Sequence, residues 1–297
     1  MKPGFISMGI VIMALIMAAI AVISPAGDAS GDAGDATGVT PVPDRSHFPP
    51  EVPSRDDLQV TSQEDTAIDT TPGDGMGRTA KHIAYAYQPN VSDVVVFTSY
   101  WTVPERPAYD EYIKHTVFLW CGLQQGNLGL IQPVLEWDHD DTGKYWTIGC
   151  WIVNKRDHTY EVSRRFRAYP GDRIRADLRY ITDPANPGKK VWYIAISDLT
   201  RQSMTYMLDH RRAVDTNQNL TLFSGVLEGT DLVRYDVDLP GDVTFEDVIC
   251  KAEGGVDVPL SLTGYVHPDM GQVAIEFEDG PTGTSVIINT QRNTGNS

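Results

Sequence analysis

The chain has 297 residues, 41% of them hydrophobic and 22% charged, with 40 acidic against 24 basic side chains and a formal net charge of -16. That much apolar material excludes a wholly disordered chain, and so acidic a surface repels phosphate backbones and argues against nucleic acid as a partner. Three cysteines, Cys121, Cys150 and Cys250, exclude a disulfide-rich miniprotein and any four-cysteine zinc site. At most one internal disulfide can form, and Cys121 with Cys150 is one pairing open to it.

In chain order, the first feature is the N-terminus. Lys2 precedes an uncharged apolar run over 5–23, and small residues follow at Ser24, Ala26, Gly27 and Ala29. Residues 1–26 resemble a secretory signal peptide. The run is also just long enough to cross a bilayer, so an uncleaved membrane anchor through 5–23 is the alternative. Lys before the run and Asp after it send the remainder outward, to the extracellular space or the outer face of the membrane. Residues 27–80 are rich in Asp, Gly, Ala, Thr and Pro, with eleven acidic residues against three Arg. With no apolar periodicity to bury, they read as a disordered acidic linker, either a stalk or a removable propeptide.

From residue 81 to 297 the pattern becomes short apolar or alternating runs divided by turn residues. Strands are predicted over 94–103, 116–123, 128–137, 145–153, 160–168, 173–180, 191–197, 204–208, 220–227, 243–250, 273–277 and 285–288. The clearest is 173–180, where Ile174, Ala176, Leu178 and Tyr180 alternate with charged residues after the Pro170-Gly171-Asp172 turn. Val191-Trp192-Tyr193-Ile194-Ala195-Ile196 is apolar on both faces and predicts a central strand. About a dozen strands and no amphipathic helix predict an all-β domain, a two-sheet antiparallel β-sandwich or a barrel.

No HExxH, GxSxG, P-loop or GxGxxG occurs, and no two of the seven His residues sit at metal-ligand spacing. The Glu136-Trp137-Asp138-His139-Asp140-Asp141 run could hold a divalent cation, but reads better as an acidic turn; no metal or cofactor is expected. Ser163-Arg164-Arg165-Phe166-Arg167 reads as a solvated face, and Cys121 as a buried or paired thiol. Sequons stand at Asn90-Val91-Ser92 and Asn219-Leu220-Thr221.

Two segments carry candidate chemistry. Trp120-Cys121-Gly122-Leu123-Gln124 leads into Ile131-Gln132-Pro133-Val134-Leu135-Glu136-Trp137, where alternation puts Gln132, Val134, Glu136 and Asp138 on one face. Phe223-Ser224-Gly225-Val226-Leu227-Glu228 is an apolar strand closed by a carboxylate, followed by Pro240-Gly241-Asp242-Val243-Thr244-Phe245. Together with Trp101-Thr102-Val103-Pro104 and Pro170-Gly171-Asp172, in this order, these motifs resemble the glutamic peptidase (eqolisin) family over residues 91–250. The resemblance implies a concanavalin A-like (jelly-roll type) sandwich and a catalytic Gln132/Glu228 dyad. In that scheme the Glu takes a proton from water, the Gln amide stabilises the tetrahedral oxyanion, and the Glu returns the proton to the leaving amine. Trp120, Glu136 and Gln124 would line the cleft and bind a polypeptide substrate. An ordinary glutamate, with pKa about 4.3, suits such work at acidic pH.

The chain departs from the family pattern in four places. The stretch His82-Ile83-Ala84-Tyr85-Ala86-Tyr87 lacks the family's Trp, Gln124 replaces an acid, and Ser224 stands four residues before Glu228. Pro133 removes a ladder donor beside Gln132, which predicts a bulge or break there. Two other functions fit the same sequence. A glycoside hydrolase would run on Glu136 and Asp141, with Trp137, Trp146 and Trp151 stacking on sugar. A non-catalytic module on the cell surface would bind carbohydrate or protein.

Overall fold

The computed structural model of the protein describes residues 58–61, 81–107, 116–137, 144–157, 159–229, 239–280 and 283–290. The expected signal or anchor, most of the expected linker, and Asp138 to Asp141 lie outside them. Among the described residues the strands are β1 (Leu58–Thr61), β2 (Lys81–Val91), β3 (Val94–Thr102), β4 (Val117–Gln125), β5 (Gly129–Trp137), β6 (Trp146–Asn154), β7 (Thr159–Ser163), β8 (Phe166–Ala168), β9 (Arg173–Asp183), β10 (Asn186–Asp198), β11 (Ser203–Leu208), β12 (Leu220–Gly229), β13 (Val243–Ala252), β14 (Thr263–Val266), β15 (Ala274–Asp279) and β16 (Thr284–Asn289). No helix among the described residues is long and apolar enough to cross a membrane.

The strands form two antiparallel sheets. The larger runs β1-β7-β6-β5-β4-β12-β2-β14, with β8 also paired to β6; the smaller runs β11-β10-β9-β3-β13-β16-β15. Period-two alternation turns one row of each inner strand toward the opposite sheet. Val117, Leu119, Cys121 and Leu123 of β4 meet a core that also takes Ile174, Ala176 and Leu178 of β9 and Trp192, Ile194 and Ile196 of β10. Each Val, Leu or Ile among them contributes roughly 1.5–3 kcal/mol on burial. The two-sheet antiparallel sandwich expected from the strand pattern is the fold.

Several local expectations change. The predicted 160–168 strand is two strands, β7 and β8, broken at Arg164 and Arg165. The strand predicted as central, β10, lies next to the edge strand β11, although its second face still buries Val191 and Ala195. β1 lies within the stretch expected to be a linker and pairs with β7, Leu58 opposite Ser163. No bulge follows Pro133. The β5–β6 pairing continues unshifted through Gln132 with Trp151, Pro133 with Cys150 and Val134 with Gly149. The three thiols are free and buried, so the Cys121–Cys150 disulfide does not form. Burial pushes all three thiols well up from their ordinary value, so none is a thiolate nucleophile.

Two bulges decide which face the site residues occupy. Pairing of β12 with β4 shifts between Phe223 and Val226. The extra residue at Ser224-Gly225 turns Val226 and Glu228 to the outer face of the larger sheet and Leu227 to the core. Pairing of β12 with β2 shifts again between Leu227 and Glu228, so Glu228 pairs with His82. There Ile83 and Ala84 both enter the core, and His82 swings outward. Gly225 lets the two sheets approach closely: a Cβ on it would lie 2.6 Å from the ring of Phe245, which is fully buried. Gly225→Ala should therefore lower stability by about 1–3 kcal/mol through overpacking, read as a fall in the thermal unfolding midpoint.

Candidate active site

The outer face of the larger sheet carries a second apolar cluster, which includes Tyr85, Phe118, Trp120, Val134, Trp151, Phe223 and Val226. Tyr265 of β14 stacks on Tyr85 at 4.7 Å between centroids. Polar groups are set into this apolar ground, and the register across β5, β4, β12 and β2 fixes their places in three rows. One row is Glu136, Phe118, Glu228 and His82. The next is Val134, Trp120, Val226 and Tyr85. Continuing the β4–β5 register from Trp120–Val134 to Leu123–Ile131 sets Gly122 opposite Gln132, and Phe223 and Tyr87 complete that row. A Cβ on Gly122 would stand 3.1 Å from Gln132 Cβ, which confirms the juxtaposition.

Glu228 is 3% exposed. The Trp120 indole N–H donates to its Oε2 at 2.8 Å, and His82 Nε2 stands 3.9 Å from the same oxygen. Glu228 Oε1 is buried without a hydrogen-bond partner, as is His82 Nε2. A buried carboxylate oxygen left in this condition is costly to structure and open to a ligand. The His82 ring is fixed by its neighbours, lying 5.1 Å from Tyr85 and 6.0 Å from Trp120 between centroids.

Glu136 is held differently. It is fully buried, receives the Trp151 indole N–H, and pairs with Arg165 Nε at 2.9 Å. The Arg165 guanidinium lies over the Trp151 ring, 5.5 Å from its centroid, and Tyr160 stacks on Trp151 at 5.4 Å between centroids. Arg165 was expected on a solvated face with Arg164 and Arg167. Those two are exposed, but the break between β7 and β8 turns Arg165 inward, its side chain only 22% exposed.

Gln132 is on the same face as Glu228, and its Oε1 is buried without a partner. The two do not face each other directly. Two strand spacings across and four residues along β4, from Gly122 to Phe118, separate their Cα atoms by roughly 16 Å on a regular sheet. Trp120 stands on the diagonal between them. Gln124 is on β4 beyond Gly122, and its amide donates to Gly126 O at 3.1 Å in the β4–β5 turn, away from Glu228. Of the expected aromatic platforms, Trp137 and Trp146 pack edge-to-face at 5.4 Å inside the core between the sheets and cannot meet a sugar. Among the described residues no group of His, Cys, Asp and Glu could hold a metal ion.

His82 was not expected at the site; Arg165 was expected on a solvated face, and Trp151 only as a sugar platform. The signal for Trp151 was available, since the even spacing Gly149–Trp151 follows the same alternation that places Glu136. His82 depends on a bulge and had no signal.

No family model matches the chain, and no curated protein matches it. Among solved structures it is similar to scytalido-glutamic peptidase bound to a peptide-based transition-state analogue, at 13% identity, over 71% of this chain and 99% of that one, with a TM-score of 0.48. It is also similar to SCP-B, a member of the eqolisin family of peptidases, in complex with the tripeptide Ala-Ile-His, at 14% identity over 71% and 99%, with a TM-score of 0.47. Lactose- and MES-liganded congerin II is similar at 10% identity over 49% and 96%, with a TM-score of 0.29.

Proposed function

We propose that the protein is an exported endopeptidase of the glutamic type, with Glu228 as the base that activates water and Gln132 as the amide that receives the oxyanion. One observation carries this reading. Glu228 is a buried carboxylate oriented by the Trp120 indole, with one oxygen unpartnered, on the same face as the buried side-chain amide of Gln132. A peptide lying along the Gln132–Glu228 diagonal would set its carbonyl oxygen toward the Gln132 amide and its carbonyl carbon toward a water on Glu228. The proton taken from water passes through Glu228 to the leaving nitrogen, and the C–N bond breaks. The aromatic ground of the face supplies binding area for substrate side chains and excludes water from the reacting atoms. Export and attachment through residues 5–23 belong to the same proposal, as does work on the acidic side of neutrality.

Hydrolysis of fluorescein-labelled casein by the full chain, followed from acidic to neutral pH, tests it. Gln132→Ala should lower kcat about 100-fold with KM little changed, as removal of one oxyanion donor does. An unchanged kcat would remove Gln132 from the reaction.

A second reading has its own observation: Glu136 and Glu228 occupy one row on either side of Phe118. A glycoside hydrolase needs two carboxyl groups flanking the scissile bond. Glu136, however, is engaged by Arg165 and Trp151, which ties its carboxyl group within the sheet face. Glucan or galactan oligosaccharides in the same assay decide between the two.

A further inference from the structure

We propose that His82 is a further catalytic residue, gripping the attacking water together with Glu228 and donating its N–H to the tetrahedral intermediate. This rests on the assignment of Glu228 as the base.

The argument begins with the distance. His82 Nε2 lies 3.9 Å from Glu228 Oε2, too far for a direct hydrogen bond. It is the separation of two groups that share one oxygen at about 2.8 Å from each, with an angle of about 90° at that oxygen. Such a water accepts from the imidazole N–H and donates to the carboxylate. Oε2 also accepts from the Trp120 indole, while His82 Nε2 and the other carboxylate oxygen, Glu228 Oε1, have no hydrogen-bond partner and are buried, with the side chains 10% and 4% exposed. Buried polar atoms in this condition call for a ligand.

The fold also spends a device on this placement. Regular alternation back from Tyr85 would turn residue 82 into the core. The bulge at Ile83-Ala84 turns it to the outer face opposite Glu228. Tyr85, Trp120 and Phe223 then pack round the ring, with the Phe223 centroid at 6.3 Å.

In the reaction, the water oxygen bonds to the carbonyl carbon while its proton goes to Glu228. The imidazole N–H donates to the former water oxygen, now part of the tetrahedral centre. Glu228 then passes its proton to the amide nitrogen as the C–N bond breaks. One water is consumed, and both side chains return to their starting states.

The titrating groups around His82 are few. Glu228 faces it from β12 and Tyr85 from its own strand. On the β14 side stand Tyr265, stacked on Tyr85, and His267, whose N–H donates to Ile83 O at 2.8 Å and whose Nδ1 is 3.8 Å from Asp269 Oδ2. Trp120 and Phe223 bring no charge. In this proposal the imidazole N–H is needed for turnover, so a variant without it should respond differently to pH from the wild type.

The test is kcat for labelled casein as a function of pH, using the full chain as wild type, His82→Gln, His82→Ala and Glu228→Gln, with folding checked by thermal unfolding. His82→Gln keeps an N–H to hold the water but does not titrate. It should lose about 10-fold in kcat and respond differently to pH from the wild type, with KM little changed. His82→Ala should lose about 100- to 1000-fold. A packing role alone would leave the pH profile of His82→Gln that of the wild type. If both His82 variants keep the wild-type kcat and profile while Glu228→Gln is inactive, this inference is wrong and the base assignment stands. If Glu228→Gln keeps activity, or the wild type cleaves no casein at any pH, both are overturned.

Discussion

Glu228→Gln should abolish hydrolysis, lowering kcat by about 1000-fold or more while leaving the fold intact. The substitution removes the basic oxygen and little else. The Gln side chain has the same length, and its carbonyl oxygen can still accept the Trp120 N–H that now reaches Glu228 Oε2 at 2.8 Å. A positioned general base is worth about 100- to 10,000-fold, and here no neighbouring carboxylate can take over. Glu136, the other acid in its row, is engaged by Arg165 and Trp151 on the far side of Phe118. Stability should hold or rise slightly, because a buried charge is exchanged for a neutral amide. Steady-state kinetics beside a thermal unfolding curve measure both. Unaltered turnover in a folded variant would leave Glu228 as a structural acid of the sheet.

Arg165→Met should be the most destabilising single change on this face, by about 3–5 kcal/mol. Glu136 is fully buried and its carboxylate is balanced by Arg165 Nε at 2.9 Å. Removing that charge leaves a buried anion with too little compensation. For a domain of this size such a loss lowers the thermal midpoint by roughly 10 °C. Adding Glu136→Gln to the same chain should recover much of it, since the neutral amide no longer needs a counter-charge and can still accept from Trp151. If the double variant is no more stable than Arg165→Met, the loss comes from packing of the guanidinium on Trp151 instead.

How much of this was legible beforehand depended on whether alternation ran unbroken. In β5 and β9 it did. Gln132, Val134 and Glu136 share a face as their spacing predicts, and Ile174, Ala176 and Leu178 enter the core. Glu228 and His82 were different, because each owes its face to one extra residue in a strand. Those bulges are set by tertiary contacts such as Gly225 against Phe245, and no local pattern announces them. The same limit explains the offset between Gln132 and Glu228. Faces follow from one strand, but the level of one strand against another follows from pairing across β4. Arg165 misled for a related reason. Its basic neighbours suggested a wet strand, whereas the β7–β8 break separates it from them and delivers it to a buried acid. Trp137 and Trp146 looked like sugar platforms, yet the parity of β5 and β6 sends both into the core.

Mass spectrometry of an unlabelled protein substrate, incubated in parallel with the full-length wild type and Glu228→Gln, addresses the reacting group most directly. New internal peptide termini from the wild type, and none above background from the variant, are predicted. Equal sets of termini from both, or an intact protein substrate beside shortened oligosaccharides, would contradict the account.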